Sequence, residues 1–316
     1  MPDTSTGKAF EYACLETLRN ALDGQEVRVE HNQAYVVARN FFDQEDQESQ
    51  NEMILAAEAG LRIISRLEPQ IHNGLNNTPI YLSLQEDAQG MAGDVRDLLC
   101  IRLQNEWEIG ISCKHNHSAV KHSRLSQTID FGLQWFGIPC SRQYFEEITP
   151  IFDELKRLKT IRATWRDIAD KDIRVYRPLL TAFITELQRL YDQNGEVIPN
   201  RLLSYLIGRH DFYKLIDKSS RRSTHIQAFN MFGTLNRNAG QVRVNNVPRT
   251  PLPQAIYNMD FNQSSNNTIS IVCNNGWTVS LRIHNASTNV EPSLKFDVNL
   301  IGVPQDLFSH DEPWGE

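Results

Sequence analysis

The 316-residue chain has no run near the ~20 apolar residues a membrane span requires, and its first thirty residues hold no apolar stretch after a basic start. A membrane protein and a secreted one are therefore not expected, and the expected location is cytoplasmic. Cysteine is scarce: Cys14, Cys100, Cys113, Cys140 and Cys273 are odd in number and include no CxxC pair, which argues for reduced, buried thiols and against a zinc site or redox chemistry. Internal repeats and low-complexity tails are absent too. With 40% hydrophobic and 22% charged residues, the chain has apolar content enough for a sizeable core.

A strong positive charge is also missing, since the net charge is -7. The acid excess is local, however: Lys+Arg against Asp+Glu is 6 and 15 over residues 1–93, 5 and 5 over 94–140, 16 and 12 over 141–225, and 5 and 7 over 226–316. The 21 residues from Ile109 to Ile129 contain no acid but hold Lys114, Lys121, Arg124, His115, His117 and His122. A polyanion can dock there while the acidic N-terminal block faces away; a solvated basic loop has the same composition.

Apolar residues at helical spacing predict a helix over 7–22, with Phe10, Cys14 and Leu18 along one stripe, and a second over 51–67. A short strand is expected at 79–84. Two strand-like runs, 95–103 and 106–114, are separated only by Gln104 and Asn105 and read as an antiparallel hairpin. Candidate helices follow at 150–159, 161–170, 176–192 and 199–217. Residues 226–316 change character, with β-branched runs broken by asparagine-rich turns. The expected fold class is α/β (α+β), with three blocks: a core over 1–140, a helical segment over 141–225, and a β-rich C-terminal portion over 226–316.

Strand alternation puts Trp107, Ile109, Ile111 and Cys113 on one face of the second hairpin strand, and Glu108, Gly110, Ser112 and Lys114 on the other. The first strand opens on Asp94 and Asp97, so a carboxylate pair and a lysine can meet on neighbouring strands. Hard oxygen ligands beside an ammonium suit metal-assisted phosphodiester cleavage, in which Mg²⁺ neutralises the developing phosphate charge and the lysine orients the attacking water. The same residues also fit a capped turn and a solvated strand end. Glu11 lies on the apolar stripe with Leu15, Leu18 and Leu22, and a buried glutamate is generally paired or metal-bound, although one at a helix edge reaches water.

The order GKAFE (7–11), GDVRD (93–97) and ISCK (111–114) resembles the PD-(D/E)xK nuclease fold. The longer strings GDVRDLLCIR, WEIGISCKHNHSAVKHSRLS and DFGLQWFGIPCS, with FNMFGTLNR, NNGWTVSLRIHNAS and VEPSLKFDVNLIG further on, resemble the HaeIII family of type II restriction endonucleases over most of the chain. The resemblance implies Mg²⁺-dependent, blunt cleavage of double-stranded DNA at a short palindrome, GGCC in the family's name-giving member. It gives Asp97 the role of the metal-binding aspartate, with Asp94 as the competing choice, Lys114 that of the motif lysine, and Glu11 that of the acid on the first helix.

The chain departs from the motif at Ser112, where an acid is expected. A hydroxyl is a neutral and weaker Mg²⁺ ligand, so Glu11, Asp94 or, less favourably placed, Glu108 has to supply the missing charge. His115, Asn116, His117, Lys121, His122 and Arg124 then lie beside the scissile strand as DNA contacts, and Arg142, Arg221, Arg222 and Arg237 are further guanine-reading candidates. A palindromic target favours a homodimer, the alternative being a monomer that nicks each strand in turn. The competing functions are a repair or structure-specific nuclease of the same fold and a sequence-specific DNA-binding protein that does not cut.

Overall fold

A computed structural model describes residues 4–72, 78–86, 94–116, 121–237 and 247–315, with the side chains of Thr4, Asn105, Lys121 and His122 outside that description. The chain forms two compact units from interleaved stretches: unit 1 comprises 1–118, 208–250 and 306–316, and unit 2 comprises 119–207 and 251–305. The three consecutive blocks of the sequence reading thus each contribute to both units or are cut by a unit boundary.

Unit 1 is built on a seven-stranded mixed sheet: β1 (Val27–Val29), β2 (Ile80–Leu84), β3 (Leu98–Arg102), β4 (Trp107–His115), β6 (Phe212–Lys218), β7 (Ser223–Phe229) and β12 (Phe308–Pro313), in that spatial order. The β3–β4 pair is the expected antiparallel hairpin, in register Leu98 opposite Ile111. β4 then pairs in parallel with β6, Ser112 opposite Lys214 and His115 opposite Asp217.

Three helices complete the unit: α1 (Thr4–Ala21), α2 (Gln33–Gln44) and α3 (Gln47–Leu67). Asn32 and Asp46 cap the latter two by accepting from the Tyr35 and Ser49 backbone N–H groups. Phe10, Cys14 and Leu18 of α1 are completely buried, as their spacing requires, and α1 packs on β4. α3 comes so close to β6 that a Cβ on Gly60 would meet Leu215 Cδ2 at 2.7 Å, so a larger residue there would have to displace the Leu215 side chain.

Unit 2 carries a five-stranded antiparallel sheet ordered β5 (Lys121–Leu125), β11 (Leu294–Gly302), β10 (Thr278–His284), β9 (Thr268–Cys273) and β8 (Ile256–Phe261). Its inward residues alternate strictly: Ile269 and Ile271, then Val279, Leu281 and Ile283, then Leu294, Phe296 and Val298. The helices of this unit are α4 (Phe131–Phe136), α5 (Arg142–Thr160), α6 (Arg177–Asn194) and α7 (Val197–Ile207). Phe131, Trp135 and Phe136 of α4 are core residues.

Two expected helices differ in the structure. Over 161–170 the chain turns instead, with Arg162 and Asp170 at positive φ and the Trp165 N–H donating to the Thr288 carbonyl. The helix expected over 199–217 stops at Ile207, because Gly208 takes φ +99°, and FYKLIDK becomes β6. Its residues pair on both sides, with β4 and β7, and that pairing overrides helical propensity.

Candidate active site

The chemistry gathers where β3 begins and β4 ends. Asp97 sits one residue before β3, tied to the sheet by its N–H donating to the Ile111 carbonyl. Three donors converge on its Oδ2: Lys114 Nζ at 2.9 Å, the Cys113 backbone N–H at 2.7 Å and Ser112 Oγ at 3.1 Å. Ser112 therefore serves as a hydrogen-bond donor to Asp97.

Glu11, on α1, is 6% exposed and accepts from Lys8 Nζ at 3.0 Å. Burial, and next the nearby charge of Asp97, push its carboxyl up to about 8, against the opposing pull of Lys8 and Lys114. Burial pulls the Lys114 ammonium down, but the Asp97 carboxylate, and more weakly Glu11, outweigh it, so Lys114 holds its proton more tightly than an ordinary lysine. Two carboxyl groups and an ammonium thus share one partly desolvated corner.

Asp94 is turned to a different task. Its two oxygens take Arg96 Nε at 2.8 Å and Nη2 at 2.7 Å, and Gln85 Nε2 donates to it at 2.9 Å. Burial disfavours its charge, but these donors outweigh burial and hold the carboxyl below its usual range. The guanidinium also donates to Glu108. Arg96 lies flat across Gly110, where a Cβ would fall 1.9 Å from its Cδ, so the glycine in this strand makes room for the clamp. Asp94 and Glu108 are brought together with Arg96, not with Lys114.

Past Lys114, His115 Nδ1 lies 2.7 Å from Oδ2 of Asp217, which is 1% exposed. Asn116, at φ +53°, lies 2.9 Å through Nδ2 from His115 Nε2, and its Oδ1 accepts from the Ser219 N–H. The imidazole is thereby fixed, Nδ1–H donating to the carboxylate and Nε2 accepting from the amide. His117 lies outside the described residues, and Lys121 and His122 are placed only by their backbone, opposite Val298 and Asp297 on β11. Arg124 is exposed and donates to Ser293 Oγ at 3.2 Å. Of the guanine-reading candidates, Arg142 pairs with Glu146 and Arg222 with Glu52, while Arg237 donates to the Gly233 carbonyl.

Lys214 and Asp217 were missed in the sequence. Lys214 is 3% exposed, on the strand beside Ser112, and burial and then repulsion from Lys114 hold its ammonium down to about 7. No period-two pattern marks FYKLIDK as a strand: six of its seven residues are buried, and periodicity cannot tell such a run from a buried helix segment.

A mixed sheet with helices packed on it, and a lysine beside two buried or half-buried carboxyls at a strand end, is consistent with an α/β nuclease fold. The HaeIII restriction endonuclease family model matches residues 7–304, and the chain is 41% identical over 312 residues to the type II restriction enzyme HaeIII of Haemophilus aegyptius, covering 98% of each. The chain belongs to the HaeIII restriction endonuclease family, and its activity class is that of a type II site-specific deoxyribonuclease. No solved structure matches it. Such enzymes act on DNA and generally use a divalent metal ion. Among the described residues no helix is long and apolar enough to cross a membrane.

The donor set fits such an ion. Glu11 and Asp97 supply hard oxygens, and their mutual repulsion is what a cation would relieve. Among the described residues no group of three or more His, Cys, Asp or Glu side chains is gathered for a metal. Two carboxylates with water completing the shell suit a hard divalent cation.

Proposed function

We propose that the protein is a Mg²⁺-dependent restriction endonuclease that hydrolyses both strands of double-stranded DNA at GGCC, leaving blunt ends and acting as a homodimer on the palindrome. The observation that carries this reading is the 2.9 Å contact between Lys114 Nζ and Asp97 Oδ2, with the buried Glu11 close enough to feel both charges. Asp97 and Glu11 would hold the ion; Asp94 is the weaker candidate because Arg96 occupies both its oxygens. When bound, Mg²⁺ supplies charge neutralisation at the scissile phosphate and a more acidic water.

The chain's own residues do the rest. Lys114, held by Asp97, directs an ammonium N–H toward the attacking water or the phosphate. Ser112 and the Cys113 N–H keep the Asp97 carboxylate in one orientation, so little reorganisation is needed when substrate arrives. His115 and Asn116, fixed against Asp217 and Ser219 directly after Lys114, would lie beside the DNA backbone, and the basic residues that follow in sequence, His117, Lys121, His122 and Arg124, are the candidates for further phosphate contacts. Cytoplasmic DNA is the expected substrate pool.

Digestion of a sequenced plasmid with and without Mg²⁺, followed by mapping of the ends, tests the reading. Discrete fragments with blunt GG/CC ends only in Mg²⁺ are expected. Intact plasmid in Mg²⁺, or cutting confined to branched DNA, would refute it.

A further inference from the structure

The sheet carries a second cation next to the motif lysine. On β4 Ser112 and Lys114 point to the same face, and in the parallel pairing with β6 Lys214 stands directly opposite Ser112, on that face too. The antiparallel pairing of β6 with β7 puts Gln227 opposite Lys214, and β12 puts Ser309 opposite Gln227. Ser112, Lys214, Gln227 and Ser309 therefore form one polar row across four adjacent strands, buried at Ser112 and Lys214, half-buried at Gln227 and exposed at Ser309. Lys214 interacts electrostatically with both Lys114 and Asp97, so its ammonium shares their corner.

Burying a lysine beside a second lysine is costly, because each ammonium disfavours the charge of the other. An anion brought to that corner would offset this repulsion. The position is also the one where the motif departs from its pattern: the acid absent at 112 leaves the corner one negative charge poorer, and the neighbouring strand adds a positive one. Such a site has less charge with which to hold a second divalent ion, and more with which to hold a phosphate directly.

We propose that Lys214 is a further catalytic residue, whose ammonium contacts a non-bridging oxygen of the scissile phosphate and supplies there the positive charge that a second metal ion supplies in two-metal nucleases. This inference rests on the nuclease reading above. It implies one divalent ion per strand cut, with Lys114 and Lys214 flanking the phosphate and Gln227 marking the path by which it enters.

The test uses the full-length protein and its Lys214→Met and Lys214→Arg variants. Single-turnover cleavage of a GGCC duplex in Mg²⁺ is expected to fall about a hundredfold or more in Lys214→Met, the scale of losing one charged transition-state contact. Binding of the same duplex in EDTA, followed against salt, is expected to lose about one unit of slope in log Kd against log[salt], the signature of one lost phosphate contact. Lys214→Arg keeps the charge and is expected to retain the slope and cut faster than the methionine variant.

Wild-type cleavage that is normal while Lys214→Met cuts within threefold of it, with an unchanged slope, overturns the assignment and leaves the nuclease reading standing. A wild type that does not cut at all overturns that reading instead. Should Lys214→Met fail to fold, the Mg²⁺ dependence of the wild-type rate decides: a Hill coefficient near one supports the assignment, and one near two overturns it.

Discussion

The two sheets differ in what they bury. The five-stranded sheet of unit 2 fills its inner face with Ile269, Ile271, Val279, Leu281, Ile283, Phe296 and Val298, while the seven-stranded sheet of unit 1 buries Lys214 and Asp217 among its apolar residues, with Glu11 and Glu68 buried beside it; unit 2 buries Glu186 too, but on a helix and paired with Arg189. Desolvating a charge costs free energy that apolar burial does not, so charges kept inside a fold are expected to be paired, bonded or in use. Asp217 takes His115 and Ser219, and Glu68 takes Tyr213 and the Asn236 N–H, which makes those two structural. Glu11, Asp97, Lys114 and Lys214 form a mixed-charge group at a strand end, and the difference separates residues that hold the fold from residues held by it.

The comparison breaks most visibly through activity. Lys114→Ala should lose cleavage by about 10³- to 10⁴-fold, a size typical of losing a positioned proton donor, while binding the site in Ca²⁺ and melting near the wild-type temperature. Near-normal cutting would remove Lys114 from the mechanism. In unit 2 the opposite pattern is expected: Leu281→Ala, at a completely buried position, should cost about 2–5 kcal/mol of stability by urea unfolding, with per-molecule cleavage by the folded fraction little changed. A loss below about 1 kcal/mol would show that the position is looser than its burial implies.

Asp94 and Asp97 sharpen the contrast within three residues of chain. Asp94→Asn takes a charge away from the Arg96 clamp, and should cost about 1–3 kcal/mol of stability with cleavage reduced less than tenfold. Asp97→Asn should do the reverse. If Asp94→Asn instead abolishes cutting in a stable protein, the clamp opens in the working enzyme and Asp94 is a ligand.

These two aspartates also show how far the sequence reaches. Alternation placed the apolar face of β4 correctly, and the hairpin brought an aspartate of GDVRD to Lys114, because both follow from local periodicity and a short connection, four residues (103–106) in the structure. Which aspartate it is depends on where Arg96 goes, and that depends on the bare backbone of Gly110 across the hairpin, which no spacing announces. Lys214 was hidden for another reason. It reaches the site through a parallel pairing between strands nearly a hundred residues apart, so its neighbour could not be read from text, whereas Glu11 was visible from its helical stripe alone. The helix expected over 199–217 failed at one glycine for the same reason: pairing with β4 and β7 decides what FYKLIDK becomes.

The smallest expected effect tests the charge balance of the site without DNA. The Glu11 carboxyl is raised to about 8 in the folded chain, against an ordinary 4.5, so the folded state binds a proton there that the unfolded state has released. The stability linked to this proton is complete below about pH 4.5 and is lost as pH rises through about 8, the direction expected for a raised carboxyl. In EDTA the wild type should therefore lose a few degrees of melting temperature between pH 6 and pH 8.5 relative to Glu11→Gln, which carries no titrating group there; the comparison cancels the contribution of Glu68. Mg²⁺ competes with the same proton, so its stabilising effect on the wild type should grow over that interval and be nearly absent in Glu11→Gln. Equal pH profiles of the two proteins in EDTA would mean that Glu11 is already ionised beside Asp97, and an undiminished Mg²⁺ shift in the glutamine variant would move the ion to other oxygens.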